Sequence, residues 1–294
     1  MAKWKGQSRG NQLGYRIFIW TIKNLGLAPA YFILRFVALY FFFFGGTPNK
    51  HIKYYFRQRL GFSKWKSLRA LYSNYYVFGQ TLLDKVAIMA GMKDKFSYHF
   101  DGEHHLVEMA NSTGGILISA HLGNWEIAGN FLNRLNCPFN IVMYDNEHEQ
   151  IKQMLDEVMT DKNFKVIVVR ENDLSHLFEI NNAIRNKELI CFHGDRFVEG
   201  GKSAKKNFLG KEAEFPLGPF ALATKYKFPY SLVYAMKESS YHYHFTATPG
   251  KVHEGKPEEL LEEYIALLEH KISQYPLQWF NYYDFWNNNA DKEQ

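Results

Sequence analysis

From about residue 96 onward, short apolar runs alternate with segments of helical periodicity, and that alternation constrains the fold more than any other feature. GGILISA (114–120), FNIVMY (139–144), KVIVVR (165–170) and ELICFHG (188–194) have the length and apolar content of buried strands. Between them, NWEIAGNFLNRL (124–135), EQIKQMLDEVMTDKN (149–163) and LSHLFEINNAIRN (174–186) repeat their apolar residues at helical spacing. A further helix is expected in FPLGPFALATKYK (215–227), strands in PYSLVYAMK and YHYHFTATPG, and a helix at 257–273. Strands and helices in this order imply an α/β fold with a central, mostly parallel sheet flanked by helices. No internal repeat or low-complexity linker interrupts the pattern.

The first third of the chain is built differently. Residues 1–83 hold 13 of the 35 Lys/Arg and no Asp or Glu, leaving 22 basic residues against all 30 acids in the remainder. Such a segment implies an anionic partner, either membrane phospholipid or nucleic acid. Within it, Leu25 to Phe44 forms an apolar run of 20 residues broken by Pro29 and Arg35, about the length that spans a bilayer core. Basic residues flank both ends, so the Lys/Arg asymmetry of a spanning helix is missing, which favours a segment lying in the cytoplasmic leaflet. A buried core helix is the competing reading. The apolar run argues against nucleic acid, whose binding grooves need charge and stacking rather than a continuous apolar segment, and leaves a non-enzymatic membrane- or nucleic-acid-binding module as the lesser alternative. The expected organisation is a basic N-terminus and membrane anchor over 1–48, then one α/β domain over 49–294. That domain is helical over 49–95, with Gly61 and Gly91 as punctuation, and carries its sheet over 96–286.

Two cysteines, Cys137 and Cys191, cannot build a disulfide framework, and no CxxC pair points to structural zinc. GxSxG, GxGxxG, Walker A and HExxH sequences are also missing, so the sequence offers no covalent serine, dinucleotide or metalloprotease signature, and no metal site is expected from its motifs. What stands out is SAHLGNWE (119–126). His121 ends a buried strand, where the sites of open α/β sheets collect, and Glu126 follows in the first turn of the next helix. A sharp turn through Leu122-Gly123 would bring imidazole and carboxylate together as a general base and its orienting partner. Asn124 takes the N-cap position between them.

HLGNWE has the His-x4-Asp/Glu form of the glycerolipid (lysophospholipid) acyltransferase superfamily. The chain most resembles the bacterial lipid A biosynthesis (lauroyl/myristoyl) acyltransferase family and is similar to the phosphatidylinositol-mannoside acyltransferases. The resemblance extends through GDR (194–196), FLGKEAEFPLGPFALA (208–223) and PLQW (276–279), in that order. It implies a glycerolipid-acyltransferase-like fold, held at the inner membrane with the catalytic domain on its cytoplasmic face. The implied reaction transfers a fatty acyl group from an acyl carrier protein or coenzyme A thioester to a hydroxyl or amine of a lipid acceptor, with no resident cofactor. HGDRFVEGGKS is closer to the mannoside form, so lipid A precursor, another glycolipid and an aminolipid all stand as acceptors. The resemblance also gives the role of histidine partner to Asp195; the residues themselves leave Glu126 and Asp195 as alternatives.

The remaining candidates follow from charge and position. Arg196 can hold a phosphate or an oxyanion through its guanidinium fork. Arg170 ends KVIVVR at the same expected rim and can bind acceptor phosphate. Lys202 leads a basic cluster with Lys205, Lys206 and Lys211 that suits a carrier phosphate. With Asn124, the residues Arg170, Arg196 and Lys202 make up the expected substrate-contacting set. His193 is read as structural, and His104-His105 as a surface loop.

Overall fold

The computed structural model describes residues 12–125, 127, 137–144, 164–170, 173–196 and 201–286. The expected helix over 149–163 and most of that over 124–135 lie outside the described residues, as does Glu126.

The sheet has seven strands: β1 (Ser97–Asp101), β2 (Gly115–Ser119), β3 (Phe139–Tyr144), β4 (Phe164–Val169), β5 (Leu189–His193), β8 (Tyr230–Lys237) and β9 (His242–Ala247). Their spatial order is β1-β9-β8-β2-β5-β3-β4, and only the β8–β9 pair is antiparallel. Every residue of β2 is buried, which accounts for its unbroken apolar run at the centre of the sheet. The expected mostly parallel sheet is therefore present. Strands β2, β5 and β4 all point the same way, so the residues that follow them share one rim.

Eight helices are described: α1 (Gln12–Leu25), α2 (Leu27–Phe44), α3 (Thr47–Tyr54), α4 (Lys64–Met89), α5 (Glu103–Asn111), α6 (Ser175–Arg185), α7 (Gly218–Lys225) and α8 (Pro257–Gln274). Gly26, at φ 90°, breaks the apolar run just before α2. Helix α2 is long and apolar enough to cross a membrane by length and composition. One of its faces is nonetheless covered: Leu27, Ala30, Tyr31, Leu34 and Ala38 are buried at helical spacing. Gly79 of α4 admits this close approach, since a Cβ there would stand 2.4 Å from a Leu34 methyl. The opposite face exposes Phe32, Phe36, Leu39, Tyr40, Phe43 and Phe44.

Two elements depart from the expectations. His104 and His105 belong to the first turn of α5 rather than to a loop, and their ring centroids lie 3.9 Å apart with the planes tilted by 49°. The basic cluster lies in a hairpin, β6 (Ser203–Phe208) with β7 (Lys211–Pro216). There Lys205 pairs with Glu212 at 3.2 Å, and Lys206 pairs with Glu262 of α8. These lysines tie the hairpin to itself and to the last helix.

Below the rim the core is dense in aromatic rings. Phe208, Phe215, Trp279, Phe285 and Trp286 pack mostly edge to face, at centroid distances such as 5.1 Å for Trp279–Phe285 and 5.4 Å for Phe208–Phe215. Such pairs add about 0.5–1.5 kcal/mol each beyond their burial, which makes a stiff floor for the residues above.

Candidate active site

The turn after β2 is stitched on both sides. Gly123 N–H donates to Gln278 O at 2.9 Å, Asn124 N–H to Ala235 O at 2.7 Å, and Phe280 N–H to His121 O at 2.9 Å. Gly123 has φ +75°, and a Cβ there would fall 2.1 Å from Ala235 O, so the sharp turn requires glycine. His121 is thereby fixed at the carboxyl end of β2. Asp195 stands at the corresponding end of the adjacent β5, where Gly194 N–H donates to Ser119 O at 2.9 Å.

The two side chains meet. His121 Nδ1 lies 2.8 Å from Asp195 Oδ1, and the His121 backbone N–H donates to Asp195 Oδ2 at 2.9 Å. Trp279 Nε1–H donates to the same Oδ2 at 3.2 Å. Asp195 is 2% exposed on its side chain, whereas His121 keeps 14%. Burial by itself would raise the Asp195 carboxyl, but the His121 charge and hydrogen bond, with Arg196 and His193 beyond, hold it well below the ordinary carboxylate range. An ionised Asp195 keeps the ring hydrogen on Nδ1 and leaves the Nε2 lone pair as the proton acceptor.

Of the expected substrate-contacting residues, the structure brings one to this pair. Arg196 is half-buried and donates to Phe280 O at 3.3 Å, beside Asp195. Arg170 shares the rim but follows β4, three strands from β2 and so about 14 Å away, with Asp173 at 3.9 Å. Lys202 is exposed at the base of the hairpin, where its carbonyl accepts Leu217 N–H at 2.9 Å. Asn124 corrects the expectation made for it. It is buried, and its amide donates to Thr81 O at 3.1 Å and Tyr243 Oη at 3.2 Å, so it faces the interior rather than a substrate.

Sequence reasoning missed two residues of the site. His193, read as structural, packs its ring against His121 with centroids 4.3 Å apart and planes tilted by 36°, and meets Trp125 edge-on at 4.6 Å. Trp279 lies within PLQW, a segment noted only for its resemblance, and is the neutral donor on the Asp195 carboxylate.

With this geometry in place, comparison with known proteins decides the family. A family model described as bacterial lipid A biosynthesis acyltransferase matches residues 11–287. The chain belongs to that family. Among curated proteins it is similar to the phosphatidylinositol mannoside acyltransferase of Mycobacterium tuberculosis strain H37Rv, 23% identical over 123 residues, which are 42% of this chain and 39% of the relative. The counterpart from strain Oshkosh matches at the same identity and coverage. The match thus spans well under half the length of these curated relatives. Within that family, His121–Asp195 is the chain's candidate acid–base pair.

Proposed function

We propose that the protein moves a fatty acyl group from an acyl carrier protein or coenzyme A thioester to a hydroxyl or amine on a membrane lipid, with a glycolipid such as a lipid A precursor as the preferred acceptor class. The observation that carries this reading is the His121–Asp195 pair at 2.8 Å on the carboxyl rim. In the proposed step Nε2 takes the acceptor proton as the acceptor attacks the thioester carbonyl; the tetrahedral intermediate collapses, and the thiolate leaves with that proton. The reaction as drawn needs no resident cofactor. Cys191 does not suit the role of nucleophile, since burial pushes its thiol up to about 12. Arg196, half-buried beside the pair, is the proposed cation for the oxyanion or an acceptor phosphate.

The proposed division puts membrane contact in residues 1–48 and chemistry in 49–294, at the inner membrane with the catalytic domain on the cytoplasmic face. Helix α2 supports a monotopic contact over a span. Its inner face is packed on the domain, and Arg35, its ninth residue, is exposed at mid-helix, where a span would leave the guanidinium at the bilayer centre. Lying flat, α2 sets its exposed aromatic rings among acyl chains, while basic residues of the acid-free segment meet anionic lipid.

The test is transfer itself. Purified protein, an acyl thioester and acceptor-containing vesicles should yield a lipid heavier by one acyl chain in mass spectrometry, and the His121→Ala protein should yield none. Release of free fatty acid with no acylated lipid would replace transfer by thioester hydrolysis.

A further inference from the structure

The opposite edge of the sheet carries a second group of chemistry-bearing side chains. Strands β1 and β9 run parallel, with His99 directly across from His244. Tyr98, Phe100, Tyr243 and Phe245 turn to the core, so alternation puts His99, Asp101 and His244 together on the outer face. Asp101 sits between the two imidazoles: His99 Nε2 is 2.8 Å from its Oδ1, and His244 Nε2 is 2.8 Å from its Oδ2. These ligand atoms all lie within 4.8 Å of one another. An independent feature points the same way, because the remaining nitrogen of His244, Nδ1, faces Glu238 Oε1 at 3.3 Å.

We propose that His99 Nε2, His244 Nε2 and Asp101 bind one divalent transition-metal ion of the zinc class, with Glu238 orienting His244 from behind. Two imidazoles and a carboxylate are the donor set that such ions prefer over magnesium or calcium. Ligand bonds of about 2.0–2.2 Å put neighbouring donor atoms about 3.4 Å apart around a tetrahedral ion, a spacing that small side-chain rotations reach from the observed triangle. Asp101 then exchanges its two histidine contacts for the metal. His244 presents its Nε2 lone pair while its Nδ1–H rests on Glu238, the carboxylate–histidine–metal arrangement of oriented ligands. Among the described strands β1 is the sheet's edge and pairs with β9 alone, so the ion would clasp that edge. It stands three strands from β2, and acyl transfer does not pass through it.

The experiment is a calorimetric titration of zinc chloride into full-length, tag-free protein in detergent micelles. One saturable site is expected in the wild type. Affinity should fall at least about 100-fold in His99→Ala and in His244→Ala, and about tenfold in Glu238→Gln with the stoichiometry kept. All three variants should retain acyl transfer, which also reports that they fold. Zinc should raise the melting temperature of the wild type and leave that of His244→Ala unmoved. No saturable site in the wild type, or wild-type affinity retained in both histidine variants, overturns the proposal. If zinc instead inhibits transfer with unchanged affinity in these variants, it sits at the His121–His193 rim.

Discussion

Asp195 has three hydrogen bonds converging on its two oxygens, from the His121 ring, the His121 backbone and Trp279. Such a carboxylate sets the tautomer of its histidine, and replacing it by an amide removes that control while keeping the shape. Asp195→Asn is therefore expected to lower turnover by about 10²–10⁴, and His121→Ala by a similar factor, with acyl-lipid formation as the measurement. The same carboxylate gives a pH signature. Its folded pKa is depressed, so the pairing contributes its full stability above the unfolded value near 4 and loses it as the pH falls below that. The gap between wild type and Asp195→Asn in urea midpoint should be widest near neutrality and narrow by about pH 3. A gap that stayed constant would mean that Asp195 is not held as an anion. At this scale the sequence disclosed His121 and its strand-end setting, but ranking its partner required the fold to bring together two residues 74 positions apart. Trp279 was hidden for the same reason, since tryptophan in an aromatic-rich chain reads as core until its N–H is seen on a carboxylate.

Strands and helices with strong periodicity were legible, among them β2, β3, β4, β5, α6 and α8, because burial of a whole strand or one helix face writes itself into local pattern. Strand β1 (SYHFD) was not, as its polar residues face outward at an edge and its pairing partner lies about 145 residues later. The β6–β7 hairpin, polar on its outer face, was visible only as a basic cluster for the same reason. Nor did local pattern show how the apolar helix is fastened. Asp84, the first acid of the chain, is fully buried with Lys237, whose Nζ donates to Asp84 Oδ2 at 2.5 Å. Tyr31 of α2 and Tyr243 of β9 both donate to this carboxylate, and Tyr243 accepts from Asn124 beside the catalytic turn. Lys237→Met would leave a buried carboxylate unpaired and is expected to destabilise the fold by about 3–5 kcal/mol, read by urea denaturation. A loss under about 1 kcal/mol would show that the pair is not desolvated as drawn.

Across the whole molecule, the helices that carry the proposed membrane face also hold the rim of the candidate site. Asn74 of α4 donates to the Leu277 and Trp279 carbonyls at 3.0 and 3.3 Å, and Tyr75 stacks on Tyr282 at 5.5 Å. Helix α2 lies against that same α4, so a lipid surface met by α2 is mechanically close to the chain that carries Trp279. This coupling makes complete removal of residues 1–44 a poor test of anchoring, since it would uncover the core along with the aromatic face. Substituting the exposed rings Phe32, Phe36, Tyr40 and Phe43 by Gln leaves the buried side of α2 intact. With roughly 1.5–3 kcal/mol for each large apolar side chain fully withdrawn from water, even partial insertion of four rings predicts at least a 100-fold drop in vesicle partitioning. The start of α4 supplies the electrostatic half, with Lys64, Trp65, Lys66 and Arg69 exposed in one turn and a half. Replacing Lys64, Lys66 and Arg69 by Gln should weaken binding to anionic vesicles at low salt and matter little at about 0.5 M, where charges are screened beyond a few ångströms. The aromatic variant should instead lose binding at every salt concentration, because apolar burial is not screened. Co-sedimentation across a salt series separates the two terms. Equal salt dependence in both variants would mean that the aromatic rings do not enter the bilayer and that α2 covers some other surface.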